Sequence, residues 1–142
     1  MAWSREPSSW APSGATVQAT WNLLERSAGP ALAEAYTAGW GVIVKEVIAN
    51  GRLGPRDSSP ALQPFRELAA GLGTGPDVLA MAAVLAQPWV SVVLSGAASV
   101  AHIESHVRAL SLRYDEELDA RLRGMVEAPS MYWARRGALP WN

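Results

Sequence analysis

Two short apolar runs, Gly41-Val-Ile-Val-Lys-Glu46 and Val90-Ser-Val-Val-Leu-Ser-Gly96, each open into a turn of small residues. Strands buried on both faces of a parallel sheet read as such β-branched runs, and polar atoms gather where they end. Val17 to Ala19 is a shorter strand candidate. Helical composition fills the gaps between and after them: Ala31–Ala38, led by Pro30 and stopped by Gly39; Leu62–Ala70, with Pro64 in its first turn; and Pro76–Ala86, with Thr74 or Gly75 at its cap. Ser99 caps a helix running to about Leu110, and Asp115 to Glu127 forms another with its charges on one face. Gly51 to Pro60 is loop. Strands that alternate with helices through crossovers longer than a hairpin predict an α/β fold with a parallel sheet. Residues 1–14, rich in Ser, Pro and Trp, read as an irregular lead-in. Residues 15–128 read as the β/α domain, and residues 129–142 as an irregular aromatic tail.

The chain has 142 residues, 49% hydrophobic and 18% charged, which is enough for one domain with a real core. A net charge of −1 without a basic block gives no general attraction to nucleic acid or to anionic lipid. Cysteine is absent, so there are no disulfides or thiolate metal sites. No apolar run reaches the roughly 18 residues of a spanning helix, and Met1-Ala-Trp-Ser-Arg-Glu-Pro7 lacks the apolar core of a signal peptide. The expectation is a soluble cytoplasmic protein. Of twelve basic residues only Lys45 is a lysine, and it stands near the end of the strongest apolar run.

Over residues 15–110 the chain resembles the last three strand–helix units of an aldo-keto reductase, a family of NADP-dependent (β/α)8 barrels. Gln18 followed by Trp21-Asn22-Leu23 resembles the sixth strand, where a glutamine binds the nicotinamide carboxamide and an aromatic–Asn pair follows. Gly41-Val-Ile-Val, then Ile48-Ala-Asn50-Gly51-Arg-Leu53, looks like the seventh strand and the loop that wraps the cofactor pyrophosphate through main-chain groups. Leu94-Ser-Gly-Ala-Ala-Ser99 and the helix after it are similar to the element that holds the adenosine 2′-phosphate. The resemblance implies NADP(H) as cofactor, with Gln18 and Asn22 at the carboxamide, Ile48 to Leu53 at the pyrophosphate, and Ser99, His102 and His106 at the phosphate. Such placements are physically sensible, because helix N-termini suit phosphate and barrel ligands bind at the strands' C-terminal ends.

The sequence departs from the family pattern in three places. Lys45 stands where an aromatic residue usually stacks on nicotinamide. His102 and His106 replace a glutamine and an asparagine. The family's catalytic tyrosine, lysine, aspartate and histidine lie on its first four strands, which have no counterpart in these residues. Three strands cannot close an eight-stranded barrel of about 250 residues. The expected sheet, a partial TIM barrel with two free edges and one bare apolar face, needs cover. Self-association, a complementary half-barrel, or the tryptophan-bearing ends (Trp3, Trp10, Trp133 and Trp141) would each supply it, and the expectation is self-association.

Lys45 and Glu46 are the candidate catalytic residues. Neighbours on a strand face opposite ways, so only one of them points into the barrel side. A buried lysine serves as a base or Schiff-base nucleophile; the alternative is a structural ion pair at a strand end. His102 and His106 share a helix face and read as solvated histidines, as phosphate contacts, or as two metal ligands with no third in sequence. Arg135-Arg136 with Tyr132 and Trp133 reads as interface packing or as a phosphate grip, and Asn50-Gly51 as a turn where glycine permits positive φ. No Walker, HExxH, Gly-x-Gly-x-x-Gly or Gly-x-Ser-x-Gly pattern occurs. Three functions remain open. The chain is the NADP(H)-binding half of a carbonyl-reducing oxidoreductase acting on a small molecule, a scaffold recruited to a cofactor-free isomerase, lyase or cyclase reaction, or a non-catalytic interaction module.

Overall fold

A computed structural model describes residues 14–140. It contains three parallel strands, β1 (Thr16–Thr20), β2 (Gly41–Lys45) and β3 (Val92–Val93), side by side in chain order. Thr16 pairs with Gly41 and Thr20 with Lys45; Ile43 pairs with Val92 and Val44 with Val93. Helix α1 (Gly29–Thr37) returns the chain from β1 to β2. Helices α2 (Gln63–Gly71) and α3 (Pro76–Leu85) return it from β2 to β3. Three more helices follow: α4 (Val100–Arg108), α5 (Glu116–Leu122) and α6 (Pro129–Ala138).

Side-chain alternation along β2 decides the layering. Val42 and Val44 are fully buried and pack with Leu32 of α1 and with Val78 and Met81 of α3. Helix α3 is buried from Asp77 to Val84, so its sequence is apolar on every side rather than striped. A second cluster lies under the loops, where Leu23, Leu53, Phe65, Leu79, Leu122 and Tyr132 meet. The other sheet face carries Gln18, Ile43, Lys45 and Val92 in register. Among the described residues nothing seals that face: Val92 is 50% exposed and Leu94 42%. Among the described residues the sheet is therefore finished on its helix side and bare on its barrel side.

The expected parallel α/β architecture is present, with two corrections. The strand expected over Val90–Leu94 is regular only at Val92–Val93, although Ser91 and Leu94 still donate to the Val42 and Val44 carbonyls at 3.0 and 2.9 Å. The tail expected to be irregular contains α6. That helix has no side-chain N-cap and carries Gly137, but it starts on Pro129 and ends on Arg135 and Arg136, which favour a helix there. Tyr132, 2% exposed, ties it into the core. Trp133 is 46% exposed and packs edge-on against Tyr132; Trp3, Trp10, Trp141 and most of the lead-in lie outside the described residues. No single helix is long and apolar enough to cross a membrane among the described residues.

Candidate functional site

Where β2 ends, the backbone does something costly. Glu46, Ala49 and Asn50 adopt φ of 57°, 49° and 54°, and Gly51 follows at 92°. Left-handed conformations cost a non-glycine residue on the order of 1 kcal/mol each, so the surroundings must impose them. The turn closes on itself: the Ile48 carbonyl accepts the N–H of Gly51 and of Leu53, both at 3.0 Å, and the Glu46 carbonyl accepts that of Ala49 at 2.8 Å.

Asn22, just beyond β1 and wholly buried, supplies the outside hold. Its amide nitrogen donates to the Glu46 carbonyl at 2.9 Å and to the Tyr132 hydroxyl at 3.0 Å. Its oxygen accepts the N–H groups of Leu24 and Glu25, each at 3.0 Å. The Glu46 carboxylate accepts from Arg136 Nε at 3.1 Å and from Asn50 Nδ2 at 3.2 Å, while the Tyr132 hydroxyl approaches it at 3.5 Å. Burial pushes the Tyr132 phenol up; the Asn22 hydrogen bond opposes this and the Glu46 charge adds to it, so the ring stays neutral. One network thus joins the ends of β1 and β2 to α6.

Beside it, Arg52 grips Glu127 through both terminal nitrogens, and Arg135 reaches the same carboxylate at 2.6 Å. The hydrogen bond to Glu127 raises Arg52, and the same bond holds Glu127 below the usual carboxylate range against the opposing effect of burial. Asp119 behaves alike. Burial alone would push it up, but hydrogen bonds from Tyr114, Arg123 and Arg26 outweigh that and hold it low. A carboxylate whose folded pKa is depressed contributes stability above its unfolded value and loses it as pH falls through the folded one. Urea midpoints should therefore be level above about pH 5 and fall progressively below it. Glu127→Gln should flatten part of that fall, and an identical acid limb in the variant would contradict the assignment.

The expected site residues scatter into three environments. Gln18 and Lys45 lie on the bare sheet face: Gln18 is exposed, and Lys45 is half-buried with no ion pair among the described residues. A structural ion pair is present at the strand end, but only Glu46 takes part in it: Glu46 turns off the strand and pairs with Arg136 at 3.1 Å. Asn22 has every hydrogen-bonding group used within the chain. Ile48 packs against the core and Leu53 is fully buried in it, so these residues offer backbone rather than side chains; Asn50 is exposed beside Gly51.

The third environment is the start of α4. Ser99 caps the helix by accepting the His102 N–H at 3.3 Å. His106 corrects the expectation of two solvated histidines: it is buried, its Nδ1 lies 2.9 Å from the Ser95 hydroxyl, and its Nε2 lies 3.7 Å from Asp77. Asp77 also accepts the Ser105 hydroxyl at 2.7 Å. No group of three or more possible metal-ligating side chains occurs among the described residues. Sequence reading missed the roles of Tyr132, Arg136 and Asp77. Each pairs with residues far away in the chain, so no local spacing announces it.

No family model matches the sequence, and no curated protein matches it closely. Solved structures do match. A thermostable aldo-keto reductase, Tm1743, crystallised with the inhibitor epalrestat, aligns with a TM-score of 0.65 and 20% identity over 78% of this chain and 39% of its own. A protein described as a putative 2,5-diketo-D-gluconic acid reductase B gives 0.64 and 19% over 80% and 38%. The apo form of the aldo-keto reductase AKR11C1 from Bacillus halodurans gives 0.65 and 20% over 79% and 43%. The chain thus spans about two fifths of these structures' length, and within that span it folds as the corresponding part of an aldo-keto reductase barrel.

Proposed function

We propose that this chain is the cofactor-binding portion of an NADP(H)-dependent, carbonyl-reducing oxidoreductase. The observation that carries the reading is a barrel segment whose bare inner face presents exposed Gln18 at mid-strand, with Thr20 and Lys45 beyond it at the strands' C-terminal ends, where barrel ligands bind. Nearby polar groups also lack partners: Thr20 Oγ1 is buried without a hydrogen bond, and Lys45 stands opposite it in register. These groups fit the amide end of a dinucleotide, and the Ser99-capped start of α4 fits its phosphate. Asn22 does not fit, being fully engaged, and its work is to hold the loop.

The dinucleotide supplies the hydride when bound. Gln18 orients its carboxamide, Lys45 sets the charge beside the ring where the family resemblance puts an aromatic, and the 48–53 turn limits how closely the pyrophosphate approaches. The first four strands, on which the family resemblance places the proton-donating tyrosine, have no counterpart in these residues. Reduction on this reading needs a complementary set of strands over the bare face, from a half-barrel partner or from a second copy.

Titration with NADPH, followed by nicotinamide fluorescence, tests the binding step. Saturable enhancement is expected, with Gln18→Leu weakening it about tenfold, as loss of one directed amide contact does. No enhancement at roughly 100 µM protein would reject the reading. Turnover of an aldehyde by the chain alone should be absent.

A further inference from the structure

We infer that the chain carries a second binding site, for a small monoanion with an apolar body, in a cavity away from the bare sheet face. The cavity, about 610 Å³, lies between the segment leading into α2 and the connection from α5 to α6. Small-molecule sites typically measure about 300–1,000 Å³. Leu62 and Phe65, both buried, and the half-buried Met125 give it an apolar floor.

Its charges are not balanced. Arg52 and Arg135 share the single carboxylate of Glu127. Asp57 is engaged at 2.7 Å by Arg66, which does not line the space. Arg121 also lines it, is exposed, and has no ion pair among the described residues. The lining therefore includes one guanidinium, that of Arg121, with no ion pair among the described residues, together with an apolar floor. A carboxylate suits a guanidinium fork through charge-assisted hydrogen bonds, and the floor rewards an apolar body rather than a sugar or a polyanion. A medium-chain monocarboxylate satisfies both. Of the groups assigned to the strand-end turn only Arg52 lines this cavity, so the site stands whether or not a dinucleotide binds.

Isothermal titration of the full chain with octanoate and with octanol is the test. Octanoate binds one to one, and octanol at least about tenfold more weakly, because it lacks the charge. Arg121→Gln brings octanoate down to the octanol level, and Ala61→Trp, which fills the space from an exposed lining position, abolishes binding. Val92→Ser on the bare sheet face leaves binding unchanged. All three positions are exposed, and circular dichroism melts verify that the variants stay folded. Absence of octanoate binding, equal affinity for octanol, full binding in Arg121→Gln or Ala61→Trp, or loss of binding in Val92→Ser would each overturn the site.

Discussion

Replacing Asn22 with alanine is expected to destabilise the chain by about 4 kcal/mol, at the upper end of what single substitutions do. The side chain is wholly buried and takes part in four hydrogen bonds to partners contributed by three parts of the chain. Alanine removes all four and leaves the Leu24 N–H without an acceptor, while the Glu25 N–H keeps the residue-22 main-chain carbonyl at 3.2 Å and the Glu46 carbonyl keeps the Ala49 N–H at 2.8 Å. Each stranded buried group costs roughly 1–3 kcal/mol. It also frees the left-handed turn at Glu46 and Ala49 from its outside hold. Asn22→Asp separates these effects: its carboxylate still accepts from Leu24 and Glu25, but it donates nothing to Glu46 or Tyr132 and sets a negative charge near a second one. Urea unfolding monitored by intrinsic tryptophan fluorescence measures both variants. A loss below about 1 kcal/mol for alanine would mean that the network is decorative.

Leu79→Ala should cost about 3 kcal/mol, whereas Val92→Ser should cost almost nothing. Leu79 lies in the middle of α3 with no exposed surface, where the neighbours of a deleted side chain cannot all collapse inward. Val92 is half exposed on the barrel side, so its removal takes little apolar area out of the folded state. The second substitution acts instead on association. If the bare face pairs with another copy, Val92→Ser shifts the sedimentation profile toward monomer at equal concentration. Equal costs at the two positions would show that the sheet is covered on both sides.

How much of this could be read beforehand differs from element to element. Strand β2 stood out because four successive apolar or small residues before a charged pair have few other uses in a soluble fold. Helix α3 was legible from its composition and its Pro76 start. Strand β3 and helix α6 were not. The run Val90–Leu94 is as β-prone as β2, yet its far edge has no neighbour among the described residues, and regular pairing shrinks to two residues. Helix α6 has a proline start at Pro129 but no side-chain cap and an internal Gly137, and Tyr132 and Arg136 dock it on Asn22 and Glu46. His106 illustrates the same limit: four residues from His102, it was expected beside it in solvent, but Asp77 and Ser95 draw it inside.

The alternation of apolar runs with helical segments, and the small residues at the strand ends, were enough to determine a parallel three-strand α/β unit. Period and composition act over a few residues, and so do the forces that choose strand or helix. Only the tertiary structure decided that Asn22 braces the turn at the end of β2, that Arg136 is the partner of Glu46, and that a cavity with one spare guanidinium opens beside α2. Those outcomes depend on groups about 20 to 110 positions apart meeting in a desolvated space, where each polar atom must find a partner or lose several kcal/mol. Nothing in the linear spacing of side chains encodes which partner it will be.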